Sequence, residues 1–502
     1  MVNDGLSRRT ALRALGGALA LPTLPALPLT GRAAGQDGFA PLGRVEVEGT
    51  KEAVVDGDVA YLATTDGFAT VDVSDPESPA LLAERRDLLA DREGGPLEEI
   101  FDVKVDGDRL VVPGPANASQ GALQGAALYD VADPAAPERL AVYETDFFHH
   151  NVYFDDGVLY FGANGLPGNP LVMVDADALA ADDPNPELGR WSPAAEDDRW
   201  LDVPFGVFNL HDIWVQEGVA ALAYWDAGTW LVDVSDPAAP DPIVKVRGYD
   251  PEDLAGLSDQ AVASRQFQLP GNDHFVAFDD DMSLLGLGME AWDQTPDDGE
   301  GSPGGIDLYD VSTLAAPELV HSFAAPPTDD PSYSGTWTTS HNFELTGGRL
   351  YASWYQGGVS VHDVRDPSDP TPLAEWRDEV ETSFWTARAA RPGEFFVASS
   401  ANFLEWDVTE ALYTFPDPDL EESVPNTTTP TPGGNASNGT DGPTANGSTA
   451  NGTNGSAANG SGTNETNGSA GSGATGPGVG VLGGAAAFGL GAWRLATRTR
   501  EE

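Results

Sequence analysis

Asp72-Val73-Ser74-Asp75-Pro76 is the first of a set of related segments whose spacing constrains the fold more than any other feature of the chain. The copies begin at Asp72, Asp130, Asp175, Asp233, Asp310, Asp363 and Asp407, which makes seven. Each closes a unit of one kind: an apolar strand, a tight turn, a second strand, a loop, a third strand ending in the Asp motif, and a fourth strand after a proline. In the fourth unit these strands fall at residues 213–216, 219–224, 230–234 and 243–246, with a turn at Glu217-Gly218. Alternating apolar and polar residues, β-branched and aromatic enrichment and Gly or Pro punctuation predict short antiparallel strands. One four-stranded sheet cannot bury both of its faces, whereas copies stacked in a ring cover one another. The spacing therefore predicts an all-β fold over residues 39–415, a seven-bladed β-propeller of four-stranded antiparallel blades.

The last unit lacks a fourth strand of its own, and residues 41–47 near the start read like the fourth strand of the other units. The N-terminal strand is thus expected to close the last blade, which hides both open edges. The repeated Asp is expected to cap the turn after the third strand through Asx-type hydrogen bonds.

These units resemble the LVIVD-repeat family of secreted and surface proteins, whose units read Gly, Val-Asp-Val-Ser-Asp-Pro and a trailing Pro, as Gly67 and residues 71–79 do here. In the third, fifth and seventh units other residues replace the Ser-Asp-Pro. The resemblance implies a propeller outside the cytoplasm and no single reaction, because one fold hosts many functions.

With 80 acidic against 25 basic residues the formal charge is −55, a field that repels nucleic acid and anionic lipid. Only Lys51, Lys104 and Lys245 are lysines, and this acid-rich, Lys-poor balance resembles that of extreme halophiles of the archaea. Cysteine is absent, so disulfides and thiolate metal sites are excluded.

Residues 1–35 carry Ser7-Arg8-Arg9-Thr10 before an apolar run, which resembles a twin-arginine export signal and implies the matching export machinery as a partner. Residues 423–476 are rich in Asn, Gly, Ser and Thr and too poor in apolar residues to form a core. There Asn426, Asn435, Asn438, Asn446, Asn451, Asn454, Asn459, Asn464 and Asn467 head Asn-X-Ser/Thr acceptor sites, the pattern of a glycosylated stalk; a bare linker meets the same rule by composition. Residues 477–502 follow Pro477-Gly478 with an apolar run and Arg494, Arg498 and Arg500. That order resembles the archaeal Pro-Gly-Phe carboxy-terminal sorting signal (PGF-CTERM), with Val479 where the family has Phe. It implies an archaeosortase partner or a membrane anchor, and an extracellular ring tethered to the cell surface.

Four of the seven histidines occupy one repeat position. His150, His211 and His341 each stand seven residues before the Gly of the first turn, and His274 stands the same distance before Asp281. Thr50, Ile100 and Thr386 fall at the corresponding place in the other units. That place begins the innermost strand, so the four imidazoles are expected at one mouth of the central channel. Neutral imidazole suits zinc, copper and iron, and a metal held there and open to the channel activates water or dioxygen. A structural reading competes, because by alternation each His shares a face with core residues such as Val152 or Ile213. The loops expected at the same mouth carry Trp225, Asp226, Glu290, Trp292, Trp354, Tyr355 and Gln356, a set able to line a ligand pocket. Two functions follow: a module binding a cell-surface ligand, glycan or partner protein, or a metal-dependent hydrolase or oxidoreductase with Glu99 or Glu290 as base.

Overall fold

The computed structural model describes residues 34–35, 39–294, 301–404 and 406–420. The export signal, the stalk with its acceptor asparagines and the sorting segment lie outside these residues, except for Ala34–Gly35. Among the described residues no helix is long and apolar enough to cross a membrane.

Seven antiparallel sheets form the ring, each counted from the channel outward. Blade one comprises Thr50–Asp56, Val59–Thr64, Gly67–Asp72 and Ala80–Arg86. The innermost strands of blades two to seven are Lys104–Asp106, Val152–Asp155, Asp212–Gln216, Asp273–Phe278, Phe343–Thr346 and Phe384–Arg391. In blade seven Gly43–Glu46 pairs with Ala411–Pro416, from Gly43 opposite Thr414 to Glu46 opposite Ala411. The N-terminal strand therefore closes the last blade, as the missing fourth strand requires. Ala34–Gly35 adds a further short strand to the edge of blade six.

The motif Asp acts as a turn cap. The Oδ1 atoms of Asp72, Asp130, Asp233, Asp310 and Asp363 each accept from the backbone N–H two residues on, at 2.8–3.0 Å. In blade three, where Asp177 and Ala178 stand in the places of Ser-Asp, Asp175 instead caps a helix, Ala176–Ala180, by accepting from the N–H groups of Asp177 and Ala178. Just before the motif, the pairing of third and fourth strands slips by a residue in blades one to six, for example between Thr70 and Val71 or Leu231 and Val232. A bulge there twists the outer strand and discourages edge pairing with another molecule.

Blades hold together by burial between sheets. Ala221, Ala223 and Leu231 of blade four pack on Val276, Phe278, Leu285 and Leu287 of blade five, and the other interfaces repeat the arrangement. Each such Leu, Val or Phe contributes about 1.5–3 kcal/mol by leaving water. Within residues 182–207, Glu187–Trp191 is the outer strand of blade three, followed by three short turns of 3-10 helix. A single Trp among charged residues gives that strand a weak apolar signal.

Within the channel, charged inner-strand residues pair. Arg388 Nη2 donates to Glu52 Oε1 at 2.8 Å, Asn342 Nδ2 donates to the other oxygen of Glu52, and Lys104 pairs with Asp102. The Arg388 guanidinium also lies over Trp214 and Phe275, 5.7 and 5.4 Å from their ring centres. Buried charges must be paired, and the bonds to Glu52 tie blades one, six and seven together.

Candidate metal centre

Above these pairs, seven side chains from the starts of the inner strands form a ring of their own. His150, His211, His274 and His341 contact in succession, with centroids 4.1, 3.7 and 4.9 Å apart. Trp385 continues the ring 4.2 Å from His341, and Phe101 stands 6.1 Å from His150. Between them, Lys51 Nζ lies 5.9 Å from the Phe101 ring and 6.0 Å from that of Trp385. The four imidazoles are thus gathered at one place. His150, His211 and His341 precede their strands by one or two residues, where the alternation of a regular strand does not yet apply, so they turn toward one another.

Three of the rings are oriented by backbone carbonyls. Nδ1 of His150 bonds Ala116 O at 3.1 Å, Nδ1 of His211 bonds His274 O at 2.9 Å, and Nδ1 of His341 bonds Trp385 O at 2.6 Å. A carbonyl accepts only from N–H, so Nδ1 carries the proton and Nε2 keeps its lone pair, the tautomer of a metal-ligating histidine. Burial holds the rings neutral: it pushes His150 down to about 4 and His341 to about 3, and it lowers His211 and His274 well below the usual imidazole range.

His274 has no such anchor. It is 4% exposed, and neither ring nitrogen has a hydrogen-bond partner; Nδ1 lies 3.4 Å from Glu290 Oε2. A ring nitrogen of His274, one of His341 and a carboxylate oxygen of Glu290 lie within 4.8 Å of one another. Ligand atoms bonded to zinc at about 2.0–2.1 Å sit roughly 3–4 Å apart, so small side-chain rotations bring this set onto one ion. Burial raises the Glu290 carboxyl to about 7, against the hydrogen bond it accepts from Tyr355 O–H.

The backbone aims two of the expected loop residues at the imidazoles. Trp225 and Tyr355 adopt φ of 40° and 48°, and each bridges to the start of the next inner strand, at Asp273 and Phe384. Non-glycine residues rarely take this conformation, and here it sets Trp225 6.0 Å from His211 in a stacked pose and Tyr355 4.7 Å from His341. The remaining expected residues are packed inside. Asp226 is fully buried, accepting from Asn272 N–H and Arg265 Nε, and Trp354 and Trp292 are each 2% exposed. Gln356 accepts from Trp337 N–H and donates to Glu379 O. Glu99 is half-buried beside the group, its carbonyl accepting from Ala116 N–H.

Sequence reasoning missed three members of the ring. The repeat register points to Thr50, Ile100 and Thr386, whereas Lys51, Phe101 and Trp385 face the channel. Strand pairing slips between Thr50 and Ala53 and between Phe384 and Thr386, which carries the neighbouring residue to the inner face. A lysine among only three in the chain was the available signal for Lys51. Also missed were Tyr333, Trp337 and Trp406, which pack with Trp292, Tyr355, Trp385 and Phe101 in an aromatic group over the ring.

The LVIVD repeat matches residues 50–84 and 209–246, which are blade one and blade four. Two segments of the chain thus match the LVIVD repeat. No match is found among curated proteins. Among solved structures, the ring is similar to the β-propeller domain of Cps50 (Swd1) from Myceliophteria thermophila, at 10% identity over 75% of this chain and 99% of that one, with a TM-score of 0.49. It is also similar to the WD40 β-propeller domain of Doa1, at 10% identity over 77% of this chain and 98% of that one, with a TM-score of 0.44.

Proposed function

We propose that this protein is an exported, surface-tethered propeller that holds one transition-metal ion, zinc, copper or iron, among His150, His211, His274 and His341 with Glu290, and uses it to activate water or dioxygen. The observation that carries the reading is His274, a buried imidazole with both nitrogens unpartnered and with His341 and Glu290 in ligand range. Buried polar groups without partners are rare, and a cation is the partner that neutral imidazoles and a carboxylate share. Glu290 and Tyr355 stand where an acid or base is needed, and the aromatic cover restricts access to small substrates. The export signal, stalk and sorting motif in the sequence support an extracellular, anchored setting.

A module that binds a glycan or partner protein through the same loops is the second reading. It has less support, because Asp226, Trp292, Trp354 and Tyr355 are buried rather than displayed. Elemental analysis of protein exported by its own host and kept in concentrated salt separates the two. Near-stoichiometric transition metal, lost in the His211→Ala, His341→Ala double variant, is the expected result. Metal-free wild type, with stability unchanged in the double variant, favours the binding module.

A further inference from the structure

A column of oxidisable rings leads from the histidines toward the surface. Tyr355 lies 4.7 Å from His341, Trp337 lies 5.2 Å from Tyr355, and Trp406 lies 5.0 Å from Trp337, centroid to centroid. Tyr355 and Trp337 are each 1% exposed, whereas Trp406 is only partly buried. Tryptophan and tyrosine lose a single electron far more readily than phenylalanine or the aliphatic residues. Electronic coupling decays exponentially with distance, so rings in contact exchange an electron quickly.

The polar handles of these rings set them apart from ordinary packing. Trp337 Nε1–H donates to Tyr333 O at 2.7 Å. A carbonyl is a weak base, so an oxidised Trp337 keeps its proton and passes the vacancy on. Tyr355 O–H instead donates to the Glu290 carboxylate, which gives the phenol proton a destination. The same column therefore has a carrier in the middle and a trap at the inner end.

We propose that Trp406, Trp337 and Tyr355 form a one-electron relay between the histidine site and an external redox partner at the Trp406 face. Its use in the cell rests on the metal reading above; conduction along the rings does not. An external one-electron oxidant takes an electron from Trp406, Trp337 refills Trp406, and Tyr355 refills Trp337. The phenol proton crosses to Glu290 as Tyr355 is oxidised, leaving a neutral tyrosyl radical beside a carboxylic acid. One electron leaves the protein and one proton moves within it. A one-electron reductant at Trp406 reverses both movements.

The test uses the full chain, stripped of metal and held in concentrated potassium chloride, with flash-generated tris(bipyridine)ruthenium(III) as oxidant. Transient absorption is expected to register a tryptophan radical first, followed by a tyrosyl radical whose spin-resonance signal is lost in Tyr355→Phe. Trp337→Phe leaves Tyr355 only its direct edge contact with Trp406, 6.5 Å between centroids, and should slow tyrosyl formation and lower its yield while the tryptophan radical persists. Trp292 packs on Trp337 at 4.5 Å without entering the column, so Trp292→Phe controls for loosened packing and should keep the signal. The relay is overturned if Trp337→Phe forms the tyrosyl radical at the wild-type rate and yield, if Tyr355→Phe gives the wild-type signal, or if Trp292→Phe slows it as much as Trp337→Phe. Because no metal takes part, the elemental analysis and this experiment fail independently.

Discussion

The two arcs of the inner ring occupy equivalent backbone positions and present opposite surfaces. On blades three to six, four imidazoles touch one another, and His274 has no hydrogen-bond partner for either nitrogen. On blades seven, one and two, Trp385, Lys51 and Phe101 satisfy themselves. Lys51 Nζ donates to Thr50 O at 3.2 Å and Asn402 O at 3.1 Å, and the aromatic faces on either side complete its shell. One arc is finished by the protein alone, and the other asks for a cation. Repetition of the blade explains why the positions are equivalent, but it does not explain why only one arc is left incomplete.

Substitutions on the two arcs should separate stability from metal. Phe101→Ala removes a buried ring packed against Trp385 and Phe403 and should cost about 3–5 kcal/mol in chemical denaturation, with metal content retained. Loss of metal in that variant would mean that the arcs act as one structure and the contrast is false. A smaller effect is expected at Lys51, whose amine burial lowers to about 8. The folded state then resists a proton that the unfolded chain still binds, so stability is lost as pH falls from the ordinary lysine range through 8. Lys51→Met should therefore stabilise the protein at pH 7 by about 1–2 kcal/mol, after subtracting two lost hydrogen bonds, and the gain should vanish at about pH 9 and turn into a loss at higher pH. A destabilised Lys51→Met at pH 7 would show that the two carbonyl bonds outweigh the desolvation.

Which parts of this ring were legible follows from where backbone geometry is regular. The seven blades, their closure by residues 41–47 and the four-histidine position rest on a repeated spacing between strand and turn, and that spacing is preserved. Lys51 and Trp385 were hidden because a one-residue slip in pairing exchanges the faces of a strand, and nothing in a single sequence marks such a slip. The loop aromatics were identified as a group, but their burial was not legible. Trp292 is covered by Tyr333 and Trp337 of the connection into blade six, and Trp354 packs among Ile306, Leu308 and Phe323 of blade five, contacts of which local composition carries no trace.

His149 offers the finest contrast, because it neighbours His150 in sequence and belongs to neither arc. Its Nε2 lies 3.1 Å from Thr145 Oγ1, and its ring packs 5.0 Å from Phe147 and 5.2 Å from Phe161. Burial pushes it down to about 3. Below pH 6.5 the unfolded chain therefore binds a proton that the folded protein refuses, so its share of the stability is present above 6.5 and is lost as pH falls. Across the window from 6.5 to 4 this share amounts to about 1.4 kcal/mol per pH unit, and His149→Phe should flatten the stability profile of the metal-free protein by that slope. Added metal should raise the profile and steepen it below about pH 4, because a bound ion keeps the arc histidines unprotonated in the folded state while the unfolded chain still takes up protons, and it should do so equally in wild type and His149→Phe. A profile that His149→Phe leaves unchanged would mean that His149 is not held neutral in the core. A metal effect that disappears with His149 would move the ligand set away from the four-histidine arc.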